Sequence, residues 1–247
     1  MNNESLEAFL FGKRVLNKLG RPYGVNPFPR AFENQLSAVI APRSTVFDKV
    51  YVNNFWGSSQ SRSGLGSELE FTARYRKDLS KFIRERGIKS FFDAPCGDLN
   101  WIQEILKGHE IKYIGGDISK SLIENLKHSF PQIDVCQFDI CEDRFPKVDV
   151  WHCRDCLFHL PFSDIRLALQ NFVDSKIPYA LLTTHRARFL HRNLDVSAGG
   201  FRFLDLQRPP FNFPPAITYL QDYRKGIDFP RYVGLWTNET IGQALKN

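Results

Sequence analysis

No stretch of this 247-residue chain comes near the ~20 consecutive apolar residues needed to span a bilayer. The N-terminus, MNNESLEAFLFGKRVLNKLG, lacks an apolar run long enough for the core of a secretory signal, and charges interrupt it. Cysteine is scarce. The five thiols at Cys96, Cys136, Cys141, Cys153 and Cys156 are an odd set, four of them beside strand-like runs, which argues for reduced thiols rather than a disulfide framework. A cytoplasmic protein with no membrane partner is expected. Lys and Arg number 33 against 27 Asp and Glu, yet no dense basic run and no basic–aromatic patch gathers the excess. Nucleic acid is therefore not the expected partner. Internal repeats and low-complexity tails are missing too. The length suits one α/β domain with decorations, as a monomer or homodimer.

What is present changes character along the chain. Residues 1–66 read as an N-terminal extension with one short amphipathic stretch, the turn-rich GRPYGVNPFPR and a lid-like loop. That loop, WGSSQSRSGLGSEL, has the Ser/Gly content of a mobile segment. It ends where Ser67 and Glu70 form a capping-box pattern for a helix from 68 to about 86. Residues 67–247 form the main domain. From Lys89 short apolar runs alternate with helical ones: SFFDA, WIQEILKG, KYIGGD, SLIENLKHSF, DVCQFDI, VDVWHC, IRLALQNFV and YALLTTH. This alternation predicts a doubly wound, mostly parallel sheet with helices on both faces. Two later β-like runs, at 217–222 and 231–237, are expected to close it as an antiparallel pair, making seven strands.

Acidic residues punctuate the strand ends. Asp93 ends the first run, Asp117 the second, Asp139 follows the third and Asp155 the fourth. Ligands of open α/β sheets bind outside the carboxyl ends of the strands, so these carboxylates are expected to face one crevice. A pyrophosphate does not suit it. Dinucleotide sites need G-x-G-x-x-G so that backbone amides can approach two phosphates. Here the turn is D-A-P-C-G-D, with one glycine, and carboxylates stand where phosphate charges would lie. S-adenosylmethionine (SAM) fits better, since it carries a sulfonium, an ammonium and a ribose diol but no phosphate. Asp117 is placed to accept both ribose hydroxyls, being acceptor-only when ionised. Asp139 is placed to accept from the adenine amine, with Ile140 covering the ring, and Gly97 permits close backbone approach. Arg62 in the loop can meet the methionine carboxylate while Trp56 shields the sulfonium.

In order and spacing, FFDAPCGD, YIGGDIS, FDI and WHCRDCLFHLP resemble the successive motifs of class I (Rossmann-like) SAM-dependent methyltransferases, over residues 89–184. That resemblance implies SAM as cofactor and a binding set that takes in Asp93, Ala94, Pro95, Gly97, Asp98, Asp117, Ile118, Asp139, Ile140 and Arg154. The family's first motif usually reads D-x-G-x-G. Pro95 stands at its first glycine, the mark of a DAPCGD-type bacterial branch for which the resemblance supplies no substrate.

Methyl transfer is an in-line displacement, so most of the catalysis lies in positioning the acceptor, and a hydroxyl or ammonium acceptor also needs a base. The candidates are His159, His185 and Asp155, with His159 one helical turn past Asp155. The segment THRARFLHRN gathers His185, Arg186, Arg188, His191 and Arg192 after the fifth strand, where positive charge suits a small polar or anionic acceptor such as a sugar, glycan precursor or phosphorylated metabolite. Cys153, Cys156 and His159 raise a zinc or redox reading, but no fourth ligand is evident and no metal is expected. An RNA methyltransferase and a non-catalytic nucleotide-binding protein of the same fold remain alternatives.

Overall fold

The computed structural model describes residues 41–186 and 191–246. The expectations for residues 1–40 and for Arg188 lie outside them. Seven strands form one sheet in the order β3-β2-β1-β4-β5-β7-β6. They are β1 (Ser90–Asp93), β2 (Lys112–Asp117), β3 (Val135–Gln137), β4 (Val150–Cys153), β5 (Tyr179–His185), β6 (Tyr219–Gln221) and β7 (Arg231–Thr237). β1 to β5 pair in parallel. β7 runs antiparallel to β5 from Tyr179↔Thr237 to His185↔Arg231, and β6 runs antiparallel to β7. The closing pair is thus where the sequence placed it. Ile217 N–H to Leu235 and Asp222 N–H to Arg231 extend its bonding at both ends of β6.

The central strands are buried on both faces, which is why β1 (SFFD) and β4 (VWHC) lack polar alternation. Phe92 and Trp151 point into a core with α5 (Phe162–Ser175) and α6 (Asn238–Ala244). Phe91 and Val150, one residue earlier, point into the opposite core. That second core is completed by α2 (Leu69–Arg86), α3 (Gln103–Leu106) and α4 (Lys120–Ser129), while α1 (Arg43–Val52) packs on α4.

Helix α2 buries Thr72, Tyr75, Leu79, Phe82 and Ile83, a stripe at helical spacing. It stops at Gly87, whose φ of +61° lets the Ile88 N–H return to the Ile83 carbonyl. The expected capping box does not form. Glu68 takes the N-cap position, its carboxylate accepts from Ser58 Oγ, and Ser67 ends a 3-10 turn (Leu65–Ser67). The serine-rich sequence prefers to tie the preceding loop down rather than cap the helix. Among the described residues no helix is long and apolar enough to cross a membrane.

Candidate active site

Strand order reverses at β1, between its neighbours β2 and β4, and a cavity of about 960 Å³, open solvent at its mouth included, lies beyond the strands' carboxyl ends there. Its walls come from Pro95 to Gly97 after β1, Asp117 to Ser119 after β2, Phe138 to Ile140 after β3, and Arg154 to Cys156 with His159 after β4. Phe47 and Tyr51 of α1, with Trp56, Arg62 and Ser63, roof it.

The turn after β1 directs its amides inward to the chain. Cys96 N–H donates to the Gly116 carbonyl, Gly97 N–H to Asp117 Oδ2 (3.2 Å) and Asp98 N–H to Ser63 Oγ (2.9 Å). Asp98 in turn accepts from Ser61 Oγ (2.9 Å) and Arg62 N–H (2.8 Å). The loop expected to be mobile is therefore fastened to this turn, because three of its polar groups find partners there. Gly97 has φ +57°, and a Cβ on it would lie 2.5 Å from Ser63 Oγ. Gly97→Ala is expected to lower stability by about 1–3 kcal/mol through left-handed strain and this collision, measurable as a drop in urea midpoint.

Asp117 is buried, with Oδ1 accepting from Ser119 N–H (3.0 Å). Burial raises its pKa to about 6, against the lowering effect of the Ser119 and Gly97 amides. Lone pairs remain on both oxygens beside the cavity. Asp139 is more heavily engaged: Oδ1 accepts from Cys141 N–H (2.9 Å), and Oδ2 accepts from Arg43 Nη2 (2.9 Å) and Nε (3.2 Å). Arg43 also reaches Glu142 (2.6 Å), and Asp48 accepts from Ser119 and Ser121. These contacts clamp α1 over the β2–β3 end of the cavity.

At the β4 end four charges interlock. Arg154 donates to Asp222 (2.8 Å) and the Gly66 carbonyl (2.7 Å) and lies 3.5 Å from Asp155. Arg231 pairs with Asp155 (2.8 Å) and Asp222 (3.1 Å). Arg154's guanidinium also faces the rings of Tyr75 and Trp101, each at 5.3 Å, and its Nε has no acceptor among the described residues. Asp155 has φ +54°, a conformation Asp tolerates better than most residues. Beside it, His159 Nδ1 meets the Gly200 carbonyl at 2.5 Å. A carbonyl only accepts, so Nδ1 carries the proton and Nε2 keeps its lone pair. Burial lowers the pKa of His159 to about 4, so the ring is neutral at neutral pH. Trp56 lies over it at 5.3 Å.

Of the residues singled out from sequence, Trp56, Arg62, Pro95, Gly97, Asp117, Ile118, Asp139, Ile140, Arg154, Asp155 and His159 line this cavity, whereas Asp93, Ala94, Asp98 and His185 do not. Asp93 lies buried beneath it, bonded to His152 Nδ1 (2.6 Å) and Tyr113 Oη (3.0 Å). His185 is buried against the Leu204 backbone and a cluster of Phe rings, with its pKa lowered by that burial. Arg62 Nη1 donates to the Val52 carbonyl (3.0 Å) and faces the Tyr51 ring. Arg154 and Asp155 spend their charge largely on Asp222 and Arg231. Arg43, Ser63, Asp222 and Arg231 are participants that sequence reasoning missed. The odd pairing of acids and bases in QDYRKGIDFPR was the only signal for the last two. Burial raises the Cys96 thiol well above its usual range; a bond to Cys153, with burial, does the same for Cys156. Neither is a poised nucleophile. Among the described residues no group of three or more His, Cys, Asp or Glu is arranged to hold a metal ion.

The fold is that of the class I SAM methyltransferases. Similar solved structures include a magnesium protoporphyrin IX methyltransferase from Synechocystis with bound SAM (TM-score 0.57, 10% identity, covering 80% of this chain and 97% of that one). Another is the Burkholderia thailandensis 1,6-didemethyltoxoflavin-N1-methyltransferase with its substrate and S-adenosylhomocysteine (TM-score 0.56, 13% identity, 85% and 92%). Human N-acetylserotonin methyltransferase in complex with SAM is a third (TM-score 0.50, 15% identity, 70% and 57%). No protein-family model matches the sequence, and no curated protein matches it.

Proposed function

We propose that this protein is a SAM-dependent methyltransferase acting on a small-molecule acceptor that bears a proton on oxygen or nitrogen. One observation carries the reading. The amides of Cys96, Gly97 and Asp98, which would cradle a pyrophosphate, are all used within the chain, and a buried carboxylate, Asp117, is offered to the cavity instead. That donor set repels a dinucleotide's phosphates and suits a nucleoside whose diol donates. Ile118, Phe138 and Ile140 supply apolar walls for the base, and Asp139 retains an acceptor for its amine. Arg62 and Ser63 stand at the far side of Gly97. Among the described residues the Ser63 hydroxyl proton has no bond, and the Arg62 guanidinium has carbonyls but no carboxylate as partners, so both suit the amino-acid portion's carboxylate.

SAM, when bound, supplies an electrophilic methyl group on a sulfonium. The protein's part is to hold the acceptor against it and to receive the acceptor's proton. His159 Nε2 is the group that receives the proton, since its tautomer is fixed by Gly200 and it borders the cavity. A weak base suffices for a hydroxyl or a heteroaromatic N–H, because the oxonium or ring cation formed when it gains a methyl group is strongly acidic. Asp155, held by Arg231 and Arg154, faces the same end but is less free to move a proton.

Calorimetry with SAM, NAD and ATP tests the cofactor: SAM alone is expected to bind, and tighter binding of NAD or ATP would refute the reading. His159→Gln is expected to keep SAM affinity while methylation falls roughly 10²- to 10⁴-fold, the usual range for a lost general base. The readout is product shifted by one methyl group after incubation with a metabolite extract. An unchanged product yield would remove His159 from proton transfer.

A further inference from the structure

The β4 end of the cavity, where the acceptor must lie if the cofactor reading above holds, is rich in ring surface and poor in available charge. Trp56 and Trp101 line it together with His159. Trp56 is tilted only 30° from the His159 ring at 5.3 Å, and the exposed Phe201 continues the ring surface outward at 5.9 Å from His159. The charges there cancel among themselves. Arg154 and Arg231 are matched by Asp155 and Asp222, at 2.8 to 3.5 Å, and Asp222 is buried. Gly66 lies directly on this group, since a Cβ there would stand 2.6 Å from Asp155 Oδ2. Arg202, behind His159, donates to the Leu157 and Leu160 carbonyls. A phosphate or carboxylate entering here would have to take Arg154 or Arg231 from carboxylates already in place, stranding a buried anion.

We infer that the acceptor is an uncharged, planar aromatic or heteroaromatic molecule that lies against Trp56 and donates its O–H or N–H to His159 Nε2. This replaces the polar or anionic acceptor suggested by the arginine-rich segment after β5. Within that segment His185 is turned into the Phe cluster, and Arg186 lies over Tyr219 at 5.4 Å. The acceptor atom offered at this end is the His159 nitrogen, and flat rings are what an indole and an imidazole hold well.

A matched pair of probes tests this on the full-length protein: 1-naphthol and 1-naphthyl phosphate, with glucose 6-phosphate as the phosphate without a ring. Each is titrated calorimetrically, with and without S-adenosylhomocysteine. The expected result is that 1-naphthol binds at least tenfold more tightly than its phosphate, and that glucose 6-phosphate does not bind. Trp56→Ala should weaken 1-naphthol at least tenfold, while Trp56→Phe, which keeps a ring, should recover most of the affinity. Equal or tighter binding of either phosphate would overturn the proposal, as would failure of 1-naphthol to bind in either state. Should S-adenosylhomocysteine fail to bind while 1-naphthol binds, the cofactor reading falls and the ring site stands.

Discussion

Asp117→Ala is expected to weaken SAM binding roughly 30- to 150-fold, the equivalent of about 2–3 kcal/mol, because one carboxylate then no longer accepts two hydroxyls. The loss should grow smaller in acid. A carboxyl group whose pKa is raised to about 6 by burial holds its proton more tightly in the folded than in the unfolded chain, where the ordinary value is near 3.8. Its ionisation therefore subtracts from stability as pH rises from about 4 to 6, and the native protein carries that cost at neutral pH. A diol that donates to the carboxylate favours the charged form. Binding at pH 5.5 should thus release part of a proton, seen as a dependence of the calorimetric heat on buffer, and affinity should fall below pH 6. Asp117→Asn should lose most of this pH dependence. Thermal melting of each variant separates binding from folding: weak binding with an unchanged melting temperature assigns Asp117 to the ligand. Unchanged affinity would move the ribose elsewhere.

The parallel sheet was legible because its signals are local. SFFD, KYIGGD and VWHC are short runs closed by an acid or a cysteine, and a strand buried on both faces needs no more than that. The cavity's β2–β3 side was legible for a related reason: Asp117, Ile118, Asp139 and Ile140 sit at or just after strand ends, so strand position alone brings them to the crevice. What failed to show were pairings between distant segments. Arg43 meets Asp139 across 96 residues with nothing nearby to mark the partner, and Arg154 meets Asp222 across 68 with only the mixed charges of QDYRKGIDFPR as a sign. Side-chain direction was equally hidden. Asp93 and His185 each end a strand as expected, yet both bond to protein groups and neither lines the cavity. A residue's place along a strand is set by local pattern. Its partner is set by the tertiary packing around it.

Asp93 supplies the sharpest test of that distinction. It is 2% exposed, and its carboxylate is shared between His152 Nδ1 and Tyr113 Oη, while His152 Nε2 bonds Tyr75 Oη at 2.8 Å. His152 and Tyr75 are both fully buried. The chain of groups joins β1, β2, β4 and α2 directly below the cavity, and Tyr75 presents its ring to Arg154 above. Removing His152 leaves the Tyr75 hydroxyl without its partner and the buried Asp93 carboxylate with Tyr113 Oη alone, and breaking a buried network in this way destabilises by about 3–5 kcal/mol. His152→Leu is therefore expected to lower the unfolding free energy by that amount in urea titration. The double variant Asp93→Asn/His152→Leu should be more stable than the His152 single variant, since the buried carboxylate left with Tyr113 as its one partner is gone. SAM affinity, measured well below the unfolding transition, should change less than about threefold in both, because neither side chain lines the cavity. If Asp93→Asn instead folded with full stability and lost SAM binding, the carboxylate would be a ligand contact after all, as its place in the DAPCGD motif suggested.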